Sequence, residues 1–131
     1  MIKRNKNAFT LIEILIVVAI IAVLIIIAVP NVVRARKNTN ESLAQASLKL
    51  VSNALENYVA ANGIYPPQTT DLVTVDPPYL EVDYFTGVHA GYSFTSVLSN
   101  YSYTVTATPI APSAASVTYT MTTGGIISSN N

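Results

Sequence analysis

From Phe9 to Val29 the chain reads FTLIEILIVVAIIAVLIIIAV, and the only polar members of that stretch are Thr10 and Glu13. As an α-helix these 21 residues would run roughly 31 Å, which matches a bilayer hydrocarbon core of about 30 Å. Many of them are β-branched Ile and Val, only moderate helix formers in water. In lipid the helix is enforced, because every backbone polar group must bond within its own segment. An ordinary secretory signal fits badly, since its apolar core usually runs about 7–15 residues. The sequence that follows, AVPNVVRARKN, is also a weak small-residue cleavage site. A plain transmembrane anchor accounts for everything except Glu13.

A carboxylate inside a lipid-embedded helix costs about 2–3 kcal/mol on insertion scales, and such residues usually have a partner and a task. No Lys, Arg or His lies between residues 7 and 33, so the helix offers Glu13 no side-chain cation. A cut just before Phe9 would place a new α-amino group four residues away, about one helical turn. In a staggered array of parallel helices, one subunit's amine could then meet its neighbour's Glu13. That pairing neutralises both charges and fixes the axial register.

Lys3, Arg4 and Lys6, then Ala8, then FTLIE at Phe9–Glu13, then an apolar run to Pro30, together resemble the class III signal of type IV prepilins and pseudopilins. The resemblance implies cleavage between Ala8 and Phe9 by a prepilin peptidase that also N-methylates Phe9. It gives Glu13 the assembly and register role and makes Pro30 a bend in the helix. The family usually has Gly before the cut; Ala8 is the tolerated small alternative. The implied partners are further copies of the chain in a helical filament, an assembly platform and its ATPase. The implied location is the inner membrane, with the N-terminus cytoplasmic, and later the cell surface. Charge counting does not set this orientation, because Lys3, Arg4 and Lys6 on one flank balance Arg34, Arg36 and Lys37 on the other. Those last three suit either lipid headgroups or a solvated collar.

The expected organisation has four parts: a leader over 1–8, a membrane or filament-core helix over 9–29, an amphipathic continuation over 30–62, and a head over 63–131. In the continuation, Ala44, Leu48, Val51, Leu55 and Tyr58 recur at steps of four and three and form an apolar face. Gln45, Ser52, Asn53, Glu56 and Asn57 are assigned to the opposite side. Asn62 and Gly63 end the helix, and Pro66–Pro67 prevent its return. Residues 63–90, with four prolines and no sustained period, read as loop; GIYPP resembles a motif often found at this junction in pilin-like proteins.

Beyond residue 90 the pattern alternates. Tyr92 and Phe94 open one run; Tyr101, Tyr103, Val105 and Ala107 share a face in the next; Val117, Tyr119 and Met121 share another. Gly124–Gly125 make a turn before Ile126–Ile127. The expected fold is α+β, with a long helix on an antiparallel sheet of three or four strands.

Chemistry is sparse by comparison. The absence of cysteine excludes disulfides and thiolate metal sites. Only 11% of residues are charged, against about 25% in ordinary soluble domains. From Leu50 onward the charges are all acidic, which argues against nucleic acid as a partner of the head. His89 has no second ligand beside it and reads as a turn or surface histidine. Asp71, Asp76, Glu81 and Asp83 are spaced too irregularly for a compact calcium loop and read as solvated charges. The tyrosines sit where a sheet core wants them, rather than in a conducting stack, and the Ser/Thr-rich tail reads as strand and loop material rather than as glycan sites. No cofactor and no catalytic machinery are expected. The expected function is a structural subunit of a type IV pilus-like filament, serving adhesion, motility or DNA uptake. A pseudopilin of type II secretion is the alternative. A monomeric membrane-anchored binding domain is a third reading, and it requires Glu13 to be dispensable.

Overall fold

The computed structural model describes residues 9–130. The chain divides into two units, Met1–Arg34 and Ala35–Asn131, and one helix, α1 (Leu11–Asn62), runs through both. Ala8 and the leader lie outside the described residues.

In the first unit α1 is apolar on every side. Each large apolar side chain from Phe9 to Val33 is at least 41% exposed. A helix that is hydrophobic all round needs an apolar medium. Among the described residues α1 is the one helix long and apolar enough to cross a membrane. Pro30 lies within the helix, which continues unbroken past it. Proline carries no N–H, so the Ile26 carbonyl loses its helical donor. Next to it, Asn31 Nδ2 donates to the Ile27 carbonyl at 3.1 Å.

The second unit is built the opposite way. Ala44, Leu48, Val51, Ala54 and Leu55 are buried against the sheet, and each large aliphatic side chain so covered contributes about 1.5–3 kcal/mol. Ser52, assigned above to the polar side, is buried instead. It follows Leu48 by four residues and precedes Leu55 by three, so helical geometry puts it inside the apolar stripe. The helix ends as its sequence demands. Gly63 takes φ +81°, and its N–H donates to the Val59 carbonyl at 2.8 Å, a left-handed C-terminal cap.

Residues 63–90 are mostly irregular but contain one turn of helix, α2 (Asp71–Thr74), too short to leave a period in the sequence. Leu72 pins it to the core, and the Leu72 carbonyl receives the Leu80 N–H at 2.9 Å. The sheet is a four-stranded antiparallel meander of β1 (Tyr92–Ser99), β2 (Ser102–Pro109), β3 (Thr118–Thr122) and β4 (Ile126–Asn130), in that order. Tyr92, Phe94, Tyr103, Val105, Ala107, Tyr119 and Met121 alternate onto the buried face. Tyr101 departs from the expected strand face. It belongs to the turn between Ser99 and Ser102, which pair with each other, and its side chain is 79% exposed. The α+β class and the helix-on-sheet arrangement stand, with four strands.

Candidate assembly site

The N-terminus of α1 is organised by its own sequence. Thr10 directly precedes the first helical residue, and Glu13 is in the first turn. Thr10 N donates to Glu13 Oε2 at 2.7 Å, and Thr10 Oγ1 donates to the same oxygen at 2.8 Å. In return Glu13 N donates to Thr10 Oγ1 at 3.3 Å. This is a capping box, in which cap residue and third helical residue satisfy each other's otherwise unpaired N–H groups. The negative carboxylate also lies at the positive end of the helix dipole. Composition alone left Glu13 without any partner; the T-x-x-E spacing was the signal for a local one.

All of these bonds fall on Oε2. Oε1 of Glu13 has no partner among the described residues, and Phe9, the residue before Thr10, is 82% exposed. The site therefore holds an oriented carboxylate with one oxygen committed and one able to accept a cationic donor. Pro30 lies well along the helix and takes no part in it.

At the other end of α1 is a polar cluster that sequence reasoning missed. Glu56 Oε1 accepts from Tyr65 Oη at 3.1 Å, Tyr103 Oη at 3.2 Å and Gly124 N at 3.3 Å. Tyr103 Oη in turn accepts from Gly125 N at 3.1 Å and lies 3.0 Å from Ser52 Oγ. Burial, reinforced by the Glu56 carboxylate, pushes the Tyr65 hydroxyl up to about 12. Burial likewise raises Tyr103. Tyr92, whose hydroxyl donates to the Val117 carbonyl at 2.7 Å, is pushed up to about 12, by burial first and then by Glu41. These contacts tie helix to sheet.

The remaining candidates are scattered. Arg34 and Arg36 are exposed. Lys37 is half-buried, and its Nζ donates to Ser116 Oγ at 3.2 Å, so it belongs to the head rather than to a free collar. Asn40 and Glu41 hold the same loop, through the Ala114 carbonyl at 2.7 Å and the Ser116 N–H at 3.0 Å. Asp83 accepts from Phe85 N and Thr86 Oγ1 and shapes a turn. His89 is at a turn, its Nε2 3.0 Å from the Thr86 carbonyl. Among the described residues no group of three or more His, Asp or Glu side chains is placed to hold a metal ion.

An apolar helix of membrane length, an acid fixed in its first turn and a head folded round its second half make a pilin-like arrangement. Residues 3–29 match the prokaryotic N-terminal methylation motif. The chain is 39% identical over 72 residues to the type IV wide pilus major component PilA4 of Thermus thermophilus, covering 55% of each protein. It is 34% identical over 68 residues to the type II secretion system core protein G of Vibrio cholerae, covering 52% of this chain and 45% of that one. The type IV major pilin protein PilA of Myxococcus xanthus is 39% identical over 62 residues, 47% of this chain and 28% of the relative. The chain thus spans about half or less of these relatives' length. No solved structure matches. Motif, fold and relatives are all similar to those of type IV pilins and type II secretion pseudopilins.

Proposed function

We propose that the chain is a structural subunit of a type IV pilus-like filament, without catalytic activity, made as an inner-membrane precursor with its N-terminus in the cytoplasm. Cleavage between Ala8 and Phe9 by a prepilin peptidase, with N-methylation of Phe9, prepares it for assembly. An assembly ATPase and its membrane platform then lift it into the polymer, where Pro30 lets the helix bend and the filament serves adhesion, motility or DNA uptake. The observation that carries this reading is the Glu13 carboxylate, set in an exposed apolar helix and bonded through only one oxygen among the described residues. A neighbour's methylated Phe9 ammonium would complete it and set the subunit stagger.

The test is intact-mass and N-terminal analysis of filaments sheared from cells. The expected material begins at N-methylated Phe9. Filaments whose subunits begin at Met1 would overturn the proposal.

The similarity to secretion core protein G, over 68 residues, favours a second reading, a pseudopilin of type II secretion. Deleting the gene separates the two. Loss of surface filaments supports the pilus; loss of protein export with filaments intact supports the pseudopilus.

A further inference from the structure

The loop between β2 and β3 is fastened to α1 by three hydrogen bonds. Lys37 Nζ donates to Ser116 Oγ at 3.2 Å, Asn40 Nδ2 to the Ala114 carbonyl at 2.7 Å, and Ser116 N to Glu41 Oε1 at 3.0 Å. Beside these bonds opens a cleft of about 420 Å³. Its lining combines one cation, Lys37, with the hydroxyls of Thr108, Ser116 and Thr118 and the apolar side chains of Ile110 and Pro112. Ile110 is 56% exposed. The strands and loop of this wall bring no acid, because the chain has no Asp or Glu from Gly91 to Asn131. The acid that reaches the loop, Glu41, accepts the Ser116 N–H. Lys37 commits one ammonium donor to Ser116, and an ammonium has further donors to offer.

The chain itself sets how far this cation stands from the apolar run. Lys37 follows Val29 by eight residues and Val33 by four, and α1 is continuous over that stretch. At 1.5 Å per residue, Lys37 lies about 6–12 Å along α1 beyond the last apolar residues. The headgroup layer on each side of a hydrocarbon core is about 5–8 Å deep. The long apolar stem of a lysine carries its charge some way further towards such a layer. Arg34 and Arg36 lie in the same stretch, so among Arg34, Arg36, Lys37 and Lys49, the basic residues after residue 8, only Lys49 stands apart.

We propose that this cleft binds the phosphate of an anionic phospholipid headgroup and so docks the head on the bilayer before assembly. The proposal rests on the membrane-precursor reading. Lys37 meets the phosphate charge, and the hydroxyls of Thr108, Ser116 and Thr118 can donate to its oxygens. Ile110 and Pro112 cover the glycerol and the first acyl carbons, which a soluble phosphate does not have. Basic residues next to a membrane span are drawn to anionic lipid, and here one of them is held inside a cleft by the fold. Docking keeps the head at the bilayer until the subunit is lifted out.

The experiment compares the full chain in nanodiscs of phosphatidylcholine alone and of phosphatidylcholine with phosphatidylglycerol, by amide hydrogen exchange. Exchange over residues 108–118 is expected to be about threefold or more slower in the anionic discs, with residues 93–97 of β1 the same in both. High salt should reduce the difference. Lys37→Gln should bring the ratio between the two lipids close to one, and Lys37→Arg should restore it, while Lys49→Gln should leave it as in wild type. A purely structural Lys37 would speed exchange in both lipids alike and leave the ratio unmoved, which would overturn the proposal. Equal exchange of the wild type in the two lipids would overturn it too. Glycerol phosphate added to the phosphatidylcholine discs is expected to have no effect; if it reproduces the protection, the cleft takes a soluble phosphate and not a lipid. Failure of the chain to enter either disc is a separate result: it sinks the membrane reading itself, and this proposal with it.

Discussion

Two carboxylates on one helix are satisfied in opposite ways. Among the described residues Glu13 binds only within its own turn, to a residue three positions away. Glu56 collects its partners from 9, 47 and 68 positions along the chain. The first arrangement exists as soon as one helical turn forms, and in both acids a single carboxylate oxygen takes every bond found among the described residues. The second exists only once helix, loop and sheet have come together, and it serves the fold. Local partners thus hold the acid proposed for assembly, and distant partners hold the acid that ties helix to sheet.

The sharpest way to break that comparison is to exchange the roles. Glu13→Ala should abolish filaments, lowering sheared polymer at least tenfold, an effect on the order of 1.4 kcal/mol or more per contact. Membrane insertion should be preserved or improved, since the buried charge is gone. Immunoblots of sheared and membrane fractions measure both. Normal filaments would return the chain to a membrane-anchored binding domain. Glu56→Ala should do the reverse. It leaves two tyrosine hydroxyls and the Gly124 N–H without their acceptor and should lower head stability by about 1–3 kcal/mol, read from denaturant unfolding of the full chain in micelles.

Gly125→Ala tests the same cluster from the sheet side. The added Cβ would lie 2.7 Å from Ser52 Oγ on a backbone with φ +72°. The left-handed backbone alone is unfavourable by about 1–2 kcal/mol for a residue with a Cβ, so a loss of about 2 kcal/mol is expected in the same unfolding measurement. A smaller, pH-dependent effect comes from Tyr65. Unfolded, its phenol releases a proton near 10.0; folded, near 12. Between those values the folded state holds more protons, so its stability is complete below about pH 10 and falls as pH rises towards 12. Tyr65→Phe should flatten that part of a melting-temperature profile.

How much of this was legible depended on how far apart the partners lie in sequence. The apolar run, the stripe from Ala44 to Leu55, the stop at Asn62–Gly63 and the alternation through Tyr103, Val105 and Ala107 are local periods, and they specified helix, face and strands. Ser52 was assigned by its polarity when its spacing from Leu48 and Leu55 already placed it inside. Tyr101 was assigned by its parity when a two-residue turn removed it from the strand. The Glu56 cluster was invisible because no local pattern relates Glu56 to Tyr103 or Gly124; only the folded topology does. Glu13 was legible as an anomaly, a carboxylate in an apolar run, and the T-x-x-E spacing carries its nearest partner, Thr10.

That partner gives the smallest and most discriminating prediction. Thr10→Ala removes the hydroxyl that both donates to Glu13 Oε2 and accepts from Glu13 N, while the Thr10 backbone donor at 2.7 Å stays. Loss of a cap of this kind costs about 1 kcal/mol, with no effect on the Glu56 cluster. Head unfolding should therefore be unchanged. The carboxylate, however, loses half of what orients it, so filament yield should fall several-fold without vanishing. Thr10→Ser, which keeps the hydroxyl, should restore it. If Thr10→Ala and Glu13→Ala were equally severe, the threonine would have to contact the neighbouring subunit itself, and the division between locally held and distantly held acids would need redrawing at this end of the helix.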